Sequence, residues 1–109
     1  MWKSTTIMPE DYEYIAVDHP GIVLKEEFLE PLHISQNQLA LAMDVPRSRI
    51  NQIIKGNRSI TADTSIRLGR ALGMSDFFFL KLQFHYDRLN ALREVEGKID
   101  ITPLVKPAA

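Results

Sequence analysis

Ten consecutive residues, from Pro46 to Lys55 (Pro-Arg-Ser-Arg-Ile-Asn-Gln-Ile-Ile-Lys), hold the side chains with the most specific chemistry in this sequence. With Arg47 as origin and about 100° of helical advance per residue, Arg47, Asn51, Lys55, Ser48 and Gln52 fall within an arc of roughly 140°. Ile53, Ile50 and Ile54 fall on the opposite face, at roughly 240° to 340°, with Arg49 on the border. The polar arc is a set of groups able to read base edges in a DNA groove. Arginine bonds guanine bidentately at O6 and N7, asparagine and glutamine do the same for adenine, and serine takes either a base or a phosphate. Lys55 and Arg58, at the helix end and just beyond it, suit phosphate oxygens. A helix face that is merely solvated carries glutamate as readily as arginine. Here no acid occurs from Val45 to Ala62.

The formal net charge of −1 looks wrong for a nucleic-acid binder, but its distribution matters more than its sum. Between Ser35 and Ala62 the charged residues are Arg47, Arg49, Lys55 and Arg58 against Asp44 alone. The first twenty residues reverse the balance, with Glu10, Asp11, Glu13 and Asp18 against Lys3. Other function classes lack a carrier. The absence of cysteine removes disulfides, thiolate metal sites and thiol nucleophiles. His19, His33 and His85 are scattered without the short spacings of metal ligands, and Glu26, Glu27 and Glu30 read as a solvated acidic face. With no glycine-rich phosphate loop, nucleophile elbow or Ser/His/Asp set, the expectation is a protein that is not an enzyme and needs no cofactor or metal. Neither a signal peptide nor an apolar run near the ~18 residues of a membrane span is visible, which points to the cytoplasm and to no membrane partner.

The elements that must hold the polar arc follow from punctuation. Pro20-Gly21 opens an amphipathic stretch, Ile22–Glu30, which Pro31 is expected to stop. Ser35-Gln-Asn-Gln38 has the form of a capping box and starts a helix to about Met43, with Leu39, Ala40 and Met43 on one side. Ala40 leaves room for a second helix, Asp44-Val45 makes the turn, and Pro46 suits a first helical turn. Gly56 closes that helix, Thr61 caps Ala62–Leu72, Gly73 closes it, and Ser75 opens a longer helix, Asp76 to about Val95, before Gly97. The predicted fold is all-α: a five-helix domain over residues 19–96, an extended arm at 1–18 and a tail at 97–109.

Several of these stretches, taken together, are diagnostic. They are His19-Pro-Gly-Ile-Val-Leu-Lys-Glu-Glu-Phe-Leu-Glu-Pro-Leu, Ile34-Ser-Gln-Asn-Gln-Leu-Ala, Val45-Pro-Arg-Ser-Arg-Ile-Asn-Gln-Ile and Gly56-Asn-Arg-Ser-Ile-Thr-Ala-Asp-Thr-Ser-Ile-Arg-Leu. They closely resemble the HigA (VapI-like) antitoxins of the phage-repressor-like, or Xre, helix-turn-helix family, over about residues 19–87. The resemblance implies a homodimer that binds a palindromic operator in double-stranded DNA, represses its own toxin–antitoxin operon and neutralises a HigB-like, ribosome-dependent mRNA endonuclease. It assigns base reading to Arg47, Ser48, Asn51 and Gln52, and backbone contact to Gln36, Arg49, Lys55, Arg58 and Ser59. Two departures stand out: Phe77-Phe-Phe-Leu80 replaces a Phe-Trp-Leu-like motif, and about 18 residues precede His19.

Phe77, Phe78, Phe79 and Leu80, with Phe84 further on, cover more than one helix face. That excess is expected to pack against a second copy, which would set two reading helices about one DNA turn, on the order of 34 Å, apart. Glu10, Asp11, Tyr12, Glu13 and Tyr14 form an acidic, aromatic strip suited to the basic surface of an RNA-cleaving toxin. Two rival readings keep the helices but change the role: a stand-alone Xre regulator without a toxin, and an interaction module that has lost DNA binding.

Overall fold

Regular structure in the computed structural model, which describes residues 18–106, is entirely helical and falls into five segments. The first, α1, spans residues 20–32 in three continuous pieces: Pro20–Val23, a wider-wound Leu24–Leu29, and Glu30–Leu32. It is followed by α2 (Gln36–Met43), α3 (Arg47–Ile54), α4 (Ala62–Leu72) and α5 (Phe78–Val95).

Each boundary has a local cause. His19 Nδ1 accepts the Gly21 N–H at 3.0 Å and so caps α1, whose first residue, Pro20, has no N–H to satisfy. Pro31 does not stop α1, contrary to the expectation. The middle of the helix closes its bonds five residues back, as in Glu30 N–H to Lys25 carbonyl. The wider turn eases the clash a proline ring makes with the carbonyl four residues earlier. The helix ends at His33 instead, at φ 55°, with Ile34 N–H bonded to the Leu29 carbonyl. The capping box is present in full: Ser35 Oγ accepts from Gln38 N–H, and Gln38 Oε1 from Ser35 N–H. Pro46 stands just before α3 rather than in its first turn, and α5 begins at Phe78 rather than Asp76 because Ser75 Oγ holds the Phe77 N–H in a preceding turn. Thr61 caps α4 through Thr64 N–H, and Gly73 closes it at φ 70°.

The core collects Leu24, Phe28 and Leu29 of α1, Leu39, Ala40 and Met43 of α2, Ile50 and Ile53 of α3, Ile60, Leu68, and Phe79 and Leu82 of α5. Each of these side chains except that of Ala40 contributes about 1.5–3 kcal/mol when taken from water. Gly21 brings α1 against the end of α3 so tightly that a Cβ there would overlap the Ile53 carbonyl. Ser65, fully buried, joins α4 to the start of α5: its Oγ donates to the Asp76 carbonyl at 2.5 Å and accepts the Leu80 N–H at 3.0 Å.

The aromatic run divides differently from the expectation of a shared interface. Phe79 is 0% exposed, its ring 5.3 Å from that of Phe28, so it belongs to the protomer's own core and is withdrawn from any contact with a second copy. Phe78 is half-buried and makes edge contacts with the rings of both Phe28 and Phe79. Phe77 and Phe84 are exposed, at 64% and 62%, and Leu80 is half-buried. Ile99, Ile101, Leu104 and Val105 in the tail are exposed as well. No described helix is long and apolar enough to cross a membrane.

Candidate nucleic-acid interface

The two helices that carry the polar residues are joined by a four-part lock. Asp44, at φ 57°, closes α2 by donating its N–H to the Ala40 and Leu41 carbonyls. Val45 N–H bonds the Ala40 carbonyl at 3.0 Å. Arg67, from α4, donates through Nη1 to the Met43 carbonyl at 2.7 Å, and its Nε pairs with Asp63 at 2.8 Å. Carbonyls at a helix end need such partners. Small Ala40, 3% exposed, lets α3 approach closely.

The separation of faces on α3 holds. Ile50 and Ile53 are 0% exposed and Ile54 is half-buried, while Arg47, Ser48, Gln52 and Lys55 are exposed. Arg49 is half-buried, as its border position required. Asn51 is half-buried and tied to α2: its Nδ2 donates to Gln36 Oε1 at 3.3 Å. The bond brings together two residues fifteen positions apart, at the front of α2 and the middle of α3. It leaves the Asn51 oxygen and the Gln36 amide nitrogen available for further partners. Arg58 and Ser59 are exposed in the link that follows α3, where Gly56 N–H and Asn57 N–H close the helix onto the Ile53 and Gln52 carbonyls. Among the described residues, ion pairs engage Lys25, Arg67 and Arg70 and none of Arg47, Arg49, Lys55 or Arg58. Among the described residues, no ion pair neutralises this cationic edge. The acidic strip Glu10–Tyr14 lies outside the described residues.

Three residues that hold this surface were given no such role by the sequence. His19 sits 9% exposed, edge-on to Tyr86 at 5.2 Å, and close to Gly56. Burial holds its imidazole below the ordinary value, with Asp87 pulling in the opposite direction. Arg67 reads in sequence as one more surface cation. Gln83 reads as a polar residue on a solvated helix, yet it is 4% exposed. Its spacing of four from buried Phe79 is the signal that places it on the core side. No group of three or more potential metal ligands occurs among the described residues.

A helix-turn-helix family model matches residues 25–79, just over half of the chain. The chain is 42% identical over 86 residues to virulence-associated protein I of Dichelobacter nodosus, covering 79% of this chain and 80% of that one. It is 42% identical over 67 residues to antitoxin HigA-1 of Vibrio cholerae, covering 62% and 63%. Among solved structures, Pseudomonas aeruginosa antitoxin HigA with the higBA promoter superposes with a TM-score of 0.75 at 37% identity, over 82% of this chain and 99% of that one. The chain belongs to the Xre-type helix-turn-helix family, in the group of the HigA and VapI-like proteins.

Proposed function

We propose that the protein is an antitoxin that binds its own operator as a homodimer, represses transcription there, and neutralises a HigB-like endonuclease. One observation carries the DNA-binding part. On a helix of eight residues, two isoleucines are wholly buried while an acid-free cationic and amide-bearing edge faces out. A similar chain was solved with a promoter, and another relative is named an antitoxin. In this reading Arg47, Ser48, Asn51 and Gln52 meet base edges in the major groove. Gln36, Arg49, Lys55, Arg58 and Ser59 meet the backbone and set the register. The Gln36–Asn51 bond orients the asparagine before DNA arrives, so less ordering is needed on binding.

Dimerisation is assigned to the outer side of α5. Phe77 and Leu80, with Ala62, Ile66 and Asp76, line a groove of about 230 Å³, and Phe84 stands exposed two turns beyond Phe77. The acidic strip Glu10–Tyr14 is proposed to meet the toxin on grounds of charge alone. The protein acts in the cytoplasm and has no catalytic role.

The decisive experiment is titration of labelled operator with Arg47→Ala and Gln52→Ala variants. Each should lose about 1–3 kcal/mol of binding if its side chain makes a bidentate base contact, and relax specificity at one position. An Arg47→Ala protein with wild-type affinity and wild-type specificity would remove α3 as the reading helix.

A further inference from the structure

The link between α3 and α4 is fixed by a side chain distant in sequence. Gln83, on α5, accepts the Ile60 backbone N–H through its amide oxygen at 2.8 Å, in a buried bond. Its amide nitrogen donates to Asp87 Oδ1 at 3.0 Å, one turn further along the same helix. Both amide atoms are therefore committed, and the amide cannot rotate without breaking one bond. The Ile60 side chain is 2% exposed, so backbone and side chain are seated together. On the other side the link is tied to α3 by Gly56 and Asn57, and α4 starts at its Thr61 cap. Arg58 and Ser59 are the two residues held between these fixed points.

We propose that Gln83 is a positioning residue for DNA binding: it sets where Arg58 and Ser59 stand relative to α3, so that helix and link meet one phosphate backbone together. The inference rests on the reading of Arg58 as a phosphate contact. Lost packing alone would weaken folding, but it would not change how many phosphates the folded protein neutralises. The same helix presents Phe84 outward, with Phe77 exposed in the turn just before it, so the surface assigned to a second copy and the link facing DNA share one support.

The test is a salt titration of operator affinity for wild type, Arg58→Ala, Gln83→Met and the double variant, at a temperature where each keeps the wild-type circular dichroism. Methionine has similar volume but cannot accept the Ile60 N–H as an amide oxygen does. Gln83→Met should lower affinity about tenfold, as for loss of a charge-assisted bond. It should also reduce the slope of log affinity against log salt by about one. Arg58→Ala should then add little in the Gln83→Met background, and relative affinities for operators altered at single bases should match wild type. Equal cost of Arg58→Ala in both backgrounds, with an unchanged slope for Gln83→Met, overturns the proposal. If Arg58→Ala leaves the slope unchanged in the otherwise wild-type protein, the phosphate reading fails and the proposal falls with it. Should Gln83→Met not fold, Asp87→Ala releases the other end of the amide; a smaller slope there supports the proposal and an unchanged slope overturns it.

Discussion

Helices α3 and α5 treat their apolar residues in opposite ways. In α3 the isoleucines lie on one side and the polar residues on the other, so each side has a single role. At the start of α5 a run of four apolar residues wraps around the axis: Phe79 goes into the core, Phe78 packs across its edge, and Phe77, in the preceding turn, is left outside with Phe84. A one-sided pattern tells what a helix faces. A run that fills the circumference tells only that something besides this protomer's core must cover part of it.

The contrast between inner and outer phenylalanines can be broken by substitution. Phe79→Ala should destabilise the fold by about 3–5 kcal/mol, as measured by urea denaturation, because it empties the middle of the core. Phe84→Ala should change protomer stability by no more than about 0.5 kcal/mol. It should weaken self-association about tenfold in sedimentation equilibrium, as truncation of an interface aromatic does. A Phe84→Ala protein that associates like wild type would place the second copy elsewhere.

The support behind α3 gives two smaller effects. Neutral His19 caps α1, and its folded-state value lies below the ordinary 6.5. The stability this provides is full above the unfolded-state value and is lost as pH falls through the folded one. Thermal unfolding from about pH 7.5 down to about pH 5 should show a loss in wild type that is smaller in His19→Asn, whose amide oxygen can still cap without titrating. The smallest effect is at the turn. Asp44 adopts φ 57°, a conformation that glycine takes without a Cβ penalty. Asp44→Gly should raise stability by up to about 1 kcal/mol in denaturant titration, with base specificity unchanged.

Most of the candidate interface was legible because it depends on spacing within short helices. Ser35 and Gln38, Thr61, Gly56 and Gly73 mark ends by local chemistry, and Ile50 and Ile53 follow from period alone. What was not legible depends on partners far along the chain. Gln36 meets Asn51, Gln83 meets Ile60, and Arg67 meets the Met43 carbonyl, across fifteen to twenty-four residues. Pro31 misled for a related reason: its usual effect assumes a helix of regular pitch, and α1 does not have one there.

That irregular pitch also governs how the chain can be cut and rejoined. Residues 24–29 hold surplus length, so the two halves of the first helix keep different phase, and a single rotational wheel cannot describe both. A chimaera spliced through this interval must match residue count to winding as well as conserve hydrophobic pattern. Imposing ordinary winding on all six residues would swing Gly21 about 100° away from the Ile53 carbonyl it is shaped to meet, whereas also excising one exposed position, such as Lys25 or Glu26, would restore the phase.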